Sequence, residues 1–280
     1  IVDGIQRLST IARFIDPDII EDSPLVLSGL EYLRDYEGKS FEDLSQRLQL
    51  RLRESELMVH LIRKGTPPEV KFNIFARINT GGVALSAQEL RHAITPGKAR
   101  DVLEKWANSL EFLNATDRSV RQTRMDDREL VLRFLAFYLL GLDAYRQPDM
   151  DGFLIKAMKT INSTSDEVLS NSYERFQQAM ITAHTIFGQD AFRKRFFEGA
   201  TRLPINKAVF ESLSVNLANI GNEGLSILID RSEQVREEFI KLCNERSFEA
   251  AISQGTGDIN KVNRRFSIIQ EMLERVIAHA

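Results

Sequence analysis

The chain has 280 residues, of which 43% are hydrophobic and 28% charged, and 37 Lys and Arg face 40 Asp and Glu for a formal net charge of −3. That length supplies the core of one large domain or two small ones, and the composition excludes a disordered chain and a fibrous repeat. The charge balance excludes a uniformly basic, nucleic-acid-coating surface but leaves room for a local basic groove.

The opening Ile1-Val2-Asp3-Gly4-Ile5-Gln6-Arg7-Leu8-Ser9-Thr10 reads as the end of a strand turning into a helix. Gly4 permits a tight turn or close approach of a ligand, and the new helix offers backbone N–H groups to an anion. Arg7 offers phosphate a planar fork of donors, Gln6 is placed to orient a water, and Asp3 has the chemistry to hold a divalent metal or its water shell. A plain Asp-Gly turn before a helix accounts for the same residues. Because the chain starts on Ile1 beside this motif, an N-terminal segment carrying partner strands is expected upstream.

Leu8, Ile11, Ala12 and Ile15 keep helical spacing until Asp16-Pro17 interrupts it. Residues 24–29 fit a brief strand or a turn, Ser40 has the signature of a helix N-cap, and Leu57-Met58-Val59-His60-Leu61-Ile62 is the best remaining strand. Thr66-Pro67-Pro68-Glu69 opens a helix through Phe72, Phe75 and Ala76 that ends at Asn79-Thr80-Gly81-Gly82. A second helix starts at Ser86, with Glu89 completing a capping box. Arg77, Asn79, Gly81 and Gly82 are candidates to line the same phosphate pocket, because a glycine pair lets backbone N–H groups approach an anion; a helix C-cap and tight turn is the structural alternative.

Beyond Lys98 the pattern is helical, with apolar repeats over 129–142, 173–187, 206–217 and 262–277 and turn signals at 147–149, 162–165 and 221–224. The basic stretches 118–124 and 260–266 are either phosphate contacts or solvated helix faces. Trp106 reads as core. The four histidines have no metal-ligand spacing, and no His-Asn-His-like nuclease motif is present, so the chain is not expected to cut DNA by itself. Cys243, the only cysteine, excludes an internal disulfide and reads as a buried thiol. No run approaches the ~20 apolar residues of a bilayer span and no signal peptide is visible, so a soluble, cytoplasmic protein is expected.

Asp3-Gly4-Ile5-Gln6-Arg7-Leu8-Ser9-Thr10-Ile11 resembles the DGQQR signature at the N-terminal side of GmrSD-type modification-dependent restriction endonucleases. Phe75-Ala76-Arg77-Ile78-Asn79-Thr80-Gly81-Gly82, with its Leu85-Ser86-Ala87-Gln88-Glu89 ending, resembles a second segment of the same family. The resemblance implies an α+β, predominantly α fold: the remnant of a ParB/sulfiredoxin-like nucleotide-binding subdomain over 1–97, then a helical bundle over 98–280. It also implies a nucleotide-binding, NTP-hydrolysing regulatory domain of an anti-phage restriction system. Asp3 and Gln6 would be catalytic, Gly4, Arg7, Arg77, Asn79, Gly81 and Gly82 would bind phosphate, and Asp3 would hold Mg2+. Nucleotide, DNA and a separate nuclease subunit are the partners implied. Ile5 stands where the signature has its first glutamine, which either weakens hydrolysis or marks a position turned inward. The alternative function is a non-catalytic DNA-binding or protein-interaction module.

Overall fold

A computed structural model describes residues 4–63, 65–78 and 85–279 of the chain. Their contacts divide the protein into two compact units, Ile1–Thr66 and Pro67–Ala280. The division falls upstream of the 97/98 boundary expected from the resemblance.

In the first unit, α1 (Ile5–Ile15) starts at Gly4, whose backbone is left-handed at φ 87°. It stops at Asp16 because Pro17 lacks the N–H that a further turn requires, and Pro17 instead opens a short 3-10 turn to Ile20. The helix expected from Ser40 does not form there. The Asp43 carboxylate accepts hydrogen bonds from both the backbone N–H and the hydroxyl of Ser40, at 2.8 and 2.7 Å, and closes a turn. Helix α2 (Gln46–Arg53) begins only after Ser45. Side chain–backbone bonding of this kind competes with helix.

Phe41 and Leu44 are the buried apolar side chains among the described residues of this unit. Phe14 meets Phe41 edge to face at 5.7 Å, and the Arg53 guanidinium lies 5.3 Å from the Phe41 ring centre. Residues 24–29 are irregular and form no strand. The Leu27 N–H donates to the Lys39 carbonyl, the Gly38 N–H returns to the Leu27 carbonyl, and the Glu37 carboxylate accepts from the N–H groups of Gly29 and Leu30.

The strand expected over Leu57–Ile62 is absent as well. The segment is irregular and largely exposed, with Leu61 85% accessible. Period and β-propensity make a strand only where a neighbour completes its ladder, and no described residue pairs with this one. Among the described residues there is no sheet, and the single β-bridge joins Arg193 to Ile205. The structure is therefore predominantly helical, without the strands of the α+β remnant.

The second unit begins with α3 (Pro68–Ile78) and α4 (Ala87–Ile94) and continues through α5 (Ala99–Ala107), α6 (Leu110–Ala115), α7 (Asp126–Leu140) and α8 (Met150–Ser163). Helices α9 (Asp166–Phe187), α10 (Lys207–Asn219), α11 (Asn222–Asp230), α12 (Ser232–Asn244), α13 (Arg246–Ser253) and α14 (Ile259–Ala278) complete it. The long periodic tracts fall on α7, α9, α10 and α14 as their spacing requires. The signal at 221–224 falls at the boundary between α10 and α11, with Gly221 as the N-cap of α11 and Gly224 inside that helix.

Helix α10 is central, packing against α7, α9 and α14. All of residues 208–218 are buried, the pattern of a helix apolar around most of its circumference. Trp106 is core, set 5.2 Å from Phe176 and 5.1 Å from Tyr173. Cys243 is buried, and burial pushes its thiol up to about 11, which makes it a poor nucleophile. No helix among the described residues is long and apolar enough to cross a membrane.

Candidate functional site

At the start of α1 the N-cap is glycine, which brings no side chain to cap the helix, and no acid stands in the first turn. A Cβ built on Gly4 would come 4.0 Å from a terminal nitrogen of Arg7, so the guanidinium folds back over the helix start. A cation near the positive end of a helix opposes the macrodipole, and both favour an anion at one place. Gln6 and Arg7 are exposed, and the Ser9 hydroxyl donates to the Gln6 carbonyl at 3.0 Å. Ile5 is 61% exposed, so the reading in which it turns inward is corrected. Asp3 lies outside the described residues.

In the second unit, Arg77 ends α3 with an exposed side chain. Asn79, Gly81 and Gly82 lie outside the described residues. Helix α4, which starts after Ser86, is strongly anchored. The Ser86 hydroxyl accepts from the Glu89 N–H at 3.1 Å, and the Glu89 carboxylate accepts from the Ser86 N–H at 2.5 Å, forming the capping box that the spacing predicts. Ser86 Oγ also donates to the Arg124 carbonyl at 2.8 Å, and Glu89 pairs with the Arg124 guanidinium at 3.3 Å. Ser86→Ala is expected to cost about 1–2 kcal/mol, read from the shift of the urea midpoint, because it removes a cap and a tertiary hydrogen bond together.

Further along α4, Arg91 is 1% exposed. It pairs with Asp151 of α8, and with Glu129 of α7 at 3.2 Å, while Gln88 receives its Nε hydrogen at 2.9 Å. Glu129 pairs with Arg133 at 2.9 Å, Arg133 with Glu211 of α10 at 2.7 Å, and Glu211 with Arg265 of α14. Signs alternate along this chain of charges, from Asp151 through Arg91, Glu129, Arg133 and Glu211 to Arg265. Lys207 adds a third cation to Glu129 at 3.1 Å.

Burial alone would raise the Glu129 carboxyl, but Arg133, Arg91 and Lys207 outweigh it and hold the group down to about 2. Arg133 is held above its ordinary value against its own burial by Glu211 and Glu129. Helix α4 is thus tied by charge to the interior of the helical unit.

Both basic stretches look different once folded. Arg265 is fully buried, donating to the carbonyls of Ala251 and Thr256 as well as to Glu211, so 260–266 is not a continuous phosphate-facing surface. Of 118–124, Arg118 is exposed and the Arg121 side chain is 80% accessible, whereas Arg124 is engaged with Glu89. Sequence reasoning missed Arg91 and Glu211, since a lone charge in an apolar repeat carries no sign that its partner lies on another helix.

These features define a predominantly helical protein in which α1 starts on a glycine cap with Arg7 folded over it, and α4 is docked into the helical bundle. Residues 1–95 match the family model described as GmrSD restriction endonuclease, N-terminal domain. The match runs past the division at Thr66 to include α3 and α4. No curated protein and no solved structure matches the chain.

Proposed function

We propose that this protein is a nucleotide-binding, nucleotide-hydrolysing component of a restriction system, with the phosphates held at the start of α1. The observation that carries this reading is the Arg7 guanidinium folded over a helix N-terminus that has a glycine cap and no first-turn acid. Arg7 supplies a planar, permanently charged fork to phosphate oxygens, and the first-turn N–H groups add fixed dipoles that need no reorganisation when charge develops. Gln6, one residue before Arg7 and exposed, is the group to orient an attacking water.

Among these residues only Asp3 has the donor chemistry for a divalent ion. We assign phosphate binding to Arg7 and the helix terminus, with Asp3 as the protein ligand of a Mg2+ ion that enters with the nucleotide. Arg77, Asn79, Gly81 and Gly82 are proposed as further phosphate contacts. The glutamine replaced by Ile5 is absent from an exposed position, which favours slow turnover over loss of binding.

Phosphate release from ATP and GTP by the full chain tests this reading. Turnover that falls in Gln6→Ala while nucleotide binding persists, and that is lost in Arg7→Ala, is the expected pattern. Equal turnover in all three proteins would overturn it.

The alternative, a non-catalytic DNA-binding module acting with a separate nuclease subunit, draws on exposed Arg118 and Arg121. It predicts duplex binding whose log affinity falls linearly with log salt concentration, with no nucleotide turnover.

A further inference from the structure

A cavity of about 370 Å3 lies where α6, the 117–125 loop and the start of α7 meet, and the motifs above do not use it. Phe112, Leu113 and Val120 give it an apolar side, Thr116 lines it as well, and Arg118 and Gln122 stand at its exposed edge. Asp127 lines it while only 4% exposed, and its Oδ1 is buried without a hydrogen-bond partner. A buried acceptor of this kind is costly unless a donor reaches it, so it marks a place where a ligand supplies one.

The loop that forms the edge is held in an unusual shape. Asp117 and Arg118 are both left-handed, at φ 50° and 49°, a conformation that side chains other than glycine and asparagine rarely adopt. Arg193, itself 3% exposed, pins this loop by donating to Ser119 Oγ at 2.7 Å and to the Thr116 carbonyl at 3.5 Å. Arg202 pairs with Asp117 at 2.5 Å. The cavity edge is therefore fixed by groups outside the cavity, leaving Arg118 at the edge and Asp127 inside.

We propose that this cavity binds a small zwitterion of the amino-acid type, its cationic end on Asp127, its acid group at Arg118 and its apolar body between Phe112, Leu113 and Val120. A simple amine would gain Asp127 but meet the like charge of Arg118. A simple acid would gain Arg118 but leave the Asp127 oxygen unmet.

Calorimetric titration of the full chain with 5-aminopentanoate, pentylamine, pentanoate and 5′-AMP tests the assignment. The amino acid is expected to bind at millimolar concentration and at least about ten-fold more tightly than either half-molecule. Asp127→Asn and Arg118→Asn are each expected to remove that preference. Both variants should fold: burial pushes the Asp127 carboxyl up, so losing its charge does not penalise the native state, and asparagine tolerates the left-handed backbone at 118.

Pentylamine binding as tightly as the amino acid, no binding of any of the four, or 5-aminopentanoate binding unchanged in both variants would overturn the proposal. Binding of 5′-AMP that is lost in Asp127→Asn and kept in Arg7→Ala would overturn the amino-acid assignment in favour of a nucleotide.

Discussion

Replacing Glu211 by alanine is expected to destabilise the protein by roughly 3–5 kcal/mol, the range for removing one partner of a buried ion pair. The side chain has no solvent exposure and stands between two guanidinium groups, Arg133 on α7 and Arg265 on α14. Alanine leaves both cations inside the core, and Arg265 is itself fully buried. The cost is therefore chiefly that of stranded charge, not of lost attraction. The double variant Glu211→Leu with Arg265→Met is expected to recover a large part of it, because an apolar pair of similar volume removes one stranded charge and leaves no hole, while Arg133 keeps Glu129. Urea unfolding of the two single variants and the double gives the coupling directly. Additive single effects would show that the two groups do not act as a pair.

Stability is expected to fall as the pH drops from about 4.5 to about 2, the ordinary and folded values of the Glu129 carboxyl. A carboxyl depressed in the folded state stabilises the fold above its unfolded value and loses that contribution as the pH falls through the folded one. The difference is worth roughly 3 kcal/mol at neutral pH for Glu129 alone. Its side chain is 8% exposed, so surface screening takes little from this figure. Urea midpoints measured across that window for wild type and Glu129→Gln test the assignment. The variant starts lower at neutral pH and shows a shallower slope. An unchanged slope would mean that other carboxyls carry the acid sensitivity.

Local signals in the sequence proved readable where neighbours in the chain decide the structure. Ser86 and Glu89 lie three residues apart and need nothing beyond the first turn of α4 to close their box, and Pro17 ends α1 by chemistry that every proline carries. Leu57–Ile62 shows the opposite case, since its strand-like composition depends on a neighbouring edge that the described residues do not supply. Ser40 has the signature of a cap in the sequence. Asp43 overrides it by folding Ser40 into a turn.

Of the candidate site, Gly4, Gln6 and Arg7 are found together at one helix start, and Arg77 at the end of α3. The basic pair Arg264-Arg265 was the hardest to read. One of the two is buried against a glutamate that lies 54 residues earlier, and a run of cations looks the same whether it faces water or a carboxylate. Asp127 was equally hidden, because its isolation comes from the walls of α6 and the pinned loop.

The central claim, that the start of α1 receives nucleotide phosphates through Arg7, is tested most directly by equilibrium binding of a fluorescent nucleoside triphosphate to the full chain. Saturable binding is predicted, weakened about ten-fold or more in Arg7→Ala and restored in part in Arg7→Lys, which keeps the charge but not the fork. Equal affinity in wild type and Arg7→Ala, or no binding by the wild type, would contradict it.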